Sequence, residues 1–257
     1  MTAAPDTPLA DWRASPNIEP RREGRTPDML ILHYTGMPSA EEALDWLTTE
    51  ESKVSAHYLI DEAGRITQMV PEEMRAWHAG QSLWAGETDL NSCSIGIEIH
   101  NTGHPGKAEE GEPPAYPEVQ MQAVEALCLD ILKRHPIPAA RVLAHSDIAP
   151  ARKRDPGETF DWGRLHAAGI GHWVPPVPLG EDRGMETGDE GERVERLQEA
   201  LSAYGYGLEI TSTYGRGLEN VVMAFQRHFR PVRIDGRADR STIETLDRLL
   251  RAMPERA

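Results

Sequence analysis

The sequence predicts an α/β protein: a central mixed β-sheet flanked by helices, followed by a small C-terminal three-helix domain. Three observations predict it. Through the first two-thirds of the chain, short runs with strand periodicity alternate with runs of helical spacing. Near residue 175 a proline-rich and then acidic stretch interrupts the pattern. Beyond it, every apolar stripe has helical spacing.

Residues 1–26 carry Pro5, Pro8, Pro16 and Pro20 and read as an N-terminal extension. Residues 29–35 are a short apolar run, the mark of a buried strand. Ser39 and Glu42 have capping-box spacing and open a helix through about Thr48. Residues 56–61 and 65–70 are strand-like around the turn Asp61-Glu62-Ala63-Gly64, which makes a hairpin. Residues 94–100 alternate, with Ile95, Ile97 and Ile99 on one side and Gly96, Glu98 and His100 on the other. A loop rich in Pro, Gly and Glu covers 104–116. Pro117 then starts an amphipathic helix with Val124, Leu127, Cys128, Ile131 and Leu132 on one face. Residues 141–144 form a last strand that runs into His145.

Pro175, Pro176 and Pro178, followed by Glu181, Asp182, Glu186, Asp189, Glu190 and Glu192, suggest an interdomain linker, because like charges resist compaction. This places one domain at 27–174, the linker at 175–192 and a helical domain at 193–257. In the last, Val194, Leu197 and Leu201 form one stripe. Leu218, Val221, Val222, Phe225 and Phe229 form a second, and Ile243, Leu246, Leu249 and Leu250 a third.

The chain's 257 residues suffice for one sizeable domain and a small one. A hydrophobic share of 39% and a charged share of 27% fit a globular chain, and no run approaches the roughly 20 apolar residues a membrane helix needs. A net charge of −15 argues against nucleic acid and anionic membranes as partners. Cys93 and Cys128 have no metal or disulfide spacing and suit a reduced compartment. The start of the chain holds neither a signal-peptide core nor a lipidation cysteine, which points to the cytoplasm, or to the periplasm if a leader was removed.

Three potential metal ligands stand at strand ends and the loops after them: His33, His145 and Asp155. Imidazoles with a carboxylate suit Zn²⁺, and three protein ligands leave a fourth position for water or substrate. Each residue alone also fits a plainer role, a backbone-bonded histidine or an aspartate shaping the Asp155-Pro156-Gly157 turn.

The segments Ile31-Leu32-His33-Tyr34-Thr35, Ser55-Ala56-His57-Tyr58-Leu59-Ile60, Ala76-Trp77-His78-Ala79-Gly80, Ser94-Ile95-Gly96-Ile97-Glu98 and His145-Ser146-Asp147-Ile148-Ala149-Pro150, the last continuing to Lys153, Asp155, Pro156 and Gly157, resemble the type-2 amidases in order. These zinc enzymes cut the bond between N-acetylmuramic acid and L-alanine, and the likeness covers about residues 27–173. It implies the type-2 amidase fold and one zinc ion per chain, held by His33, His145 and Asp155. It also implies Glu98 as the catalytic acid/base and Lys153 as the oxyanion-stabilising group. Peptidoglycan or muropeptide fragments would be the partners of a monomer. A muropeptide-binding protein without activity is the rival; such relatives typically lose a zinc ligand, and here all three positions are filled.

Three further residues are candidate substrate contacts: Trp77, His78 and Asn91. For His78 groove lining and packing both stay open, and His57 reads as a structural histidine. His100, His104, His135, His166, His172 and His228 read as surface or packing residues. The C-terminal block resembles the three-helix peptidoglycan-binding domain through Val194, Leu197, Gln198, Leu201, Tyr204-Gly205-Tyr206, Phe225-Gln226, Asp235-Gly236, Thr242 and Leu246. A bundle without glycan contacts fits as well, since Tyr204, Tyr206 and Tyr214 are its few candidates for exposed aromatics.

Overall fold

The structure, a computed structural model, describes residues 4–105 and 111–253. Its elements in order are β1 (Ala10–Trp12), β2 (Ile18–Pro20), β3 (Met29–Tyr34), α1 (Ala40–Leu47), β4 (Tyr58–Ile60), β5 (Ile66–Gln68), β6 (Met74–Ala76), β7 (Ser94–Ile99), α2 (Glu118–Arg134), β8 (Val142–Ala144), α3 (His145–Ile148), α4 (Trp162–Ala167), α5 (Glu192–Tyr204), α6 (Arg216–Phe229) and α7 (Arg240–Ala252). One sheet has the order β1-β5-β4-β7-β3-β8, and β2 pairs with β6 in a separate ribbon. β3 runs parallel to β7 and β8, and β7 parallel to β4, while β4 and β5 form the antiparallel hairpin. The sheet is therefore mixed, as predicted, with flanking helices.

The unbroken apolar run of β3 follows from burial on both faces. Leu30 and Leu32 join Ile95, Ile97 and Ile99 against Val124, Leu127, Cys128 and Ile131 of α2. Met29 and Ile31 point the other way, into a cluster that includes Trp84, Leu90 and the apolar stripes of α5 and α6. His33 follows the same alternation onto this second face, and the register sets it beside Glu98 of β7. On that face α1 adds Ala43 and Leu47 against Leu59 and Met69. Ser39 caps α1 by accepting the Glu42 N–H at 3.1 Å.

Two boundaries differ from the expectation. The stretch set apart as an extension is wired into the fold: β1 pairs with β5 at the sheet's edge, and β2 pairs with β6 in the ribbon. The buried Arg21 guanidinium donates to the carbonyls of Glu72 and Ser94, which holds the stretch inward. The acidic stretch does not stand clear as a spacer either. Glu186 pairs with Arg183 and Arg237, and Asp182 accepts the Arg240 N–H, so the stretch is tied to the start of α7.

The C-terminal helices share a hydrophobic core with the sheet rather than sitting apart. Trp84, 2% exposed, meets the Tyr206 ring edge-on at 5.0 Å, and the Ala85 N–H donates to the Gly205 carbonyl at 2.7 Å. A Cβ on Gly205, whose φ is +140°, would lie 2.5 Å from the Trp84 ring, so only glycine closes this seam. Tyr204, Tyr206 and Tyr214 are all buried, which removes the exposed aromatics expected for glycan stacking. Among the described residues no helix is long and apolar enough to cross a membrane.

Candidate metal centre

The three proposed ligands converge where β3 and β8 end, the edge at which parallel sheets gather their functional groups. His33 closes β3 and His145 opens α3 directly after β8. Asp155 returns in the following loop, where its carbonyl accepts the Ser146 N–H at 3.0 Å. The Nδ1 atoms of His33 and His145 lie 2.8 Å apart, and Asp155 Oδ2 sits 3.1 and 2.8 Å from them. A tetrahedral zinc with bonds near 2.1 Å needs ligand atoms about 3.4 Å apart, so the donor set fits a small cation once it opens by a few tenths of an ångström. All three residues are buried.

The state of these groups suits a metal. Burial and then the neighbouring His145 pull His33 down to about 4, leaving a neutral imidazole at ordinary pH. Burial pushes the Asp155 carboxyl up, but the pull and hydrogen bonds of His145 and His33 outweigh it and hold it well below the usual carboxylate range. Each imidazole also has an outer anchor, as metal-ligating histidines do. His145 Nε2 donates to the Ala79 carbonyl at 3.2 Å. His33 Nε2 donates to His78 Nδ1 at 3.0 Å; His78 Nε2 then donates to Ser94 Oγ at 3.1 Å, and Ser94 to the Leu90 carbonyl at 2.5 Å. These tautomers follow from both Nδ1 atoms facing the donor cluster.

Two of the candidate substrate contacts also brace this arrangement. His78 is buried behind His33 with both ring nitrogens engaged, and it lines the same cavity as Trp77. Its ring occupies the space over Gly96, where a Cβ would come within 2.5 Å. Asn91 lies behind it in turn, its Oδ1 accepting the N–H groups of His78 and Ala79. A polar residue before a strand carries no mark of whether it faces solvent or a backbone turn, and here the turn takes it. His57 is structural: Nδ1 accepts the Gly96 N–H at 3.0 Å, and burial, then Arg21, drives its ring down to about 3.

Glu98, Lys153 and Trp77 line one cavity of about 260 Å³ with the three ligands, alongside Tyr34, Met37 and Trp46. Among the described residues, Glu98 Oε2 is buried and has no hydrogen-bond partner. Burial first, and then the Asp155 carboxylate, push the Glu98 carboxyl up to about 8, against the pull of Lys153. An unpaired carboxyl with a raised affinity for protons, opening onto a cavity beside three converging donor atoms, is equipped to move protons. Trp46, 47% exposed, forms an apolar rim.

Sequence reasoning missed several residues here. Tyr34 donates to His104 Nδ1 at 3.0 Å, and His104 Nε2 donates to Glu158 at 2.9 Å, tying the strand of His33 to the loop of Asp155. Asp147 is wholly buried and accepts three donors, two of them from the C-terminal helical domain. Its place in a mostly apolar stretch after His145 was the only hint. The Pro-, Gly- and Glu-rich loop at 104–116 lies partly outside the described residues, at 106–110; its near end is His104, held as above.

With the geometry in place, comparison with known proteins decides the family. The N-acetylmuramoyl-L-alanine amidase family model matches residues 23–158, the span that holds His33, Glu98, His145, Lys153 and Asp155. The chain belongs to the N-acetylmuramoyl-L-alanine amidase family. It is an enzyme, a hydrolase of an amide bond. A peptidoglycan binding domain model matches residues 190–246 of this amidase. It is 38% identical over 229 residues to the N-acetylmuramoyl-L-alanine amidase AmiD of Escherichia coli, covering 86% of this chain and 82% of that protein. The AmiD complex with anhydro-N-acetylmuramic acid-L-Ala-D-γ-Glu-L-Lys superposes with a TM-score of 0.76 at 37% identity, over 89% of this chain and 91% of that one. AmpDh3 of Pseudomonas aeruginosa, solved with anhydromuramic pentapeptide, gives 0.73 at 32% identity over 96% and 97%. The 1,6-anhydro-N-acetylmuramyl-L-alanine amidase AmpD of E. coli is 34% identical but matches only 59% of this chain, and 87% of its own length.

Proposed function

We propose that this amidase hydrolyses the amide between the lactyl group of N-acetylmuramic acid and L-alanine in muropeptides, using one Zn²⁺ held by His33, His145 and Asp155. The observation that carries the reading is the unpartnered Glu98 carboxyl opening onto the same small cavity as the three converging donor atoms. An amide carbonyl is a poor electrophile, and Zn²⁺ bound there supplies the Lewis acidity that polarises it and acidifies a water. Glu98 takes the proton from the attacking water and hands one to the leaving amine of L-alanine. Lys153, on the same cavity, places positive charge against the oxygen that becomes anionic. Trp46 and Trp77 offer the flat apolar surface on which the substrate settles. Two relatives have been solved with anhydromuramoyl peptides bound, which supports a soluble muropeptide as the substrate of this chain.

The test is the release of a free stem peptide from a soluble anhydromuropeptide, with intact sacculi assayed in parallel. Glu98→Ala retains zinc, since it supplies no ligand atom, while turnover falls by about 10²-fold or more. Full turnover in that variant would mean that another group is the base.

A further inference from the structure

α6 of the C-terminal domain carries Arg227 and His228 side by side, and each reaches a segment that bears a metal ligand. His228 Nδ1 donates to Asp147 Oδ2 at 2.7 Å, and Tyr206, at the end of α5, donates to Asp147 Oδ1 at 2.7 Å. Asp147 Oδ2 also accepts the Ala144 N–H at 2.8 Å, the peptide at the turn where β8 passes into α3 and sets the direction of His145. The carboxylate is 0% exposed, so no solvent replaces a lost donor. The His228 ring is held in a stack, 3.8 Å from Trp162 and 3.8 Å from Phe229. One residue earlier, Arg227 Nε lies 3.5 Å from Glu158, three residues beyond Asp155.

We infer that the C-terminal helical domain is a working part of the metal centre: Tyr206 and His228, acting through Asp147, are positioning residues for the ligand His145. Without them a buried carboxylate that accepts three donors keeps one. A carboxylate that has lost two of its three donors is no longer held in one orientation, and the turn at Ala144 that aims the His145 imidazole at His33 and Asp155 loses the acceptor that fixes it. This inference rests on the zinc reading above.

The experiment measures Zn²⁺ affinity of the full-length chain by competition with a chromogenic chelator, alongside kcat and KM on a soluble anhydromuropeptide. Tyr206→Phe deletes one hydroxyl and is expected to weaken Zn²⁺ binding about tenfold, the lower end of what outer supports of a metal site contribute. At saturating zinc its kcat recovers more than at trace zinc, with KM little changed. His228→Ala behaves likewise, and His228→Asn, which keeps a donor near Nδ1, recovers part of the affinity. Tyr214→Phe is the control: it deletes an equally buried hydroxyl bond, to the Gly236 carbonyl at 2.6 Å, far from Asp147. It is expected to lower thermal stability without changing zinc affinity. Wild-type affinity in Tyr206→Phe and His228→Ala overturns the inference, and Tyr206→Phe decides alone if the alanine variant does not fold. A wild-type chain that binds no zinc would instead refute the zinc reading itself.

Discussion

His33 and His145 turn the same Nδ1 atom to the same point, yet their rings are held from different parts of the chain. His33 is backed by His78, Ser94 and the Leu90 carbonyl, a line of hydrogen bonds inside the α/β domain. His145 has the Ala79 carbonyl behind its ring, but the turn that delivers it hangs on Asp147 and hence on Tyr206 and His228 of the helical domain. One ligand is thus supported locally and the other across the domain seam.

The strongest way to break the comparison is at the His33 side. Gly96→Ala puts a Cβ within 2.5 Å of the His78 ring, so the ring must leave and His33 loses its acceptor. We expect a 10²-fold or greater loss of zinc affinity, together with a fall in melting temperature from the steric conflict in the sheet. His78→Phe keeps an aromatic ring in place and removes both the acceptor for His33 and the donor to Ser94. A loss between about 10- and 100-fold, measured by the same chelator competition, is expected there. If Gly96→Ala bound zinc as the wild type does, His78 would not be the support the geometry makes it.

A smaller effect sharpens the picture of the cavity. In the metal-free chain Glu98 has its carboxyl raised to about 8 by burial and then by Asp155, well above the value of an unfolded glutamate. The native state therefore binds one proton more than the unfolded state between about pH 4.5 and 8. That contribution is fully present below the unfolded value and is lost as pH rises through 8. Glu98→Gln stays neutral, so metal-free Glu98→Gln is expected to melt higher than the metal-free wild type at pH 8 to 9, with the gap closing toward pH 5. Parallel melting curves across that range would count against the buried, unpaired state of Glu98. Bound zinc narrows the gap, because a dication nearby favours the carboxylate.

Much of this was legible in the residues. The β3 run and the alternation of 94–100 predict which side chains share a face, and the parallel register then brings His33 beside Glu98. Ser39 marks the start of α1. Strands of three residues such as β1 and β2 are too short for any periodicity to declare them, and a neighbouring strand rather than their own composition makes them strands. The acidic stretch reads as extended only while its arginine partners, some more than fifty residues on, are out of view. The same holds for His78, Asn91 and His228. The role of each is set by a partner 12 to 81 residues away in sequence. Tyr206 is the clearest case, a residue of aromatic-platform type whose hydroxyl is spent on a buried carboxylate of the other domain.

The central claim is that three side chains hold one zinc ion and that amide hydrolysis depends on it. The direct measurement strips the full-length protein with chelator, titrates Zn²⁺ back, and follows stem-peptide release from a soluble anhydromuropeptide. The account predicts no release by the stripped protein and a return of activity that levels off at one zinc per chain. Release at the full rate by metal-free protein would contradict it.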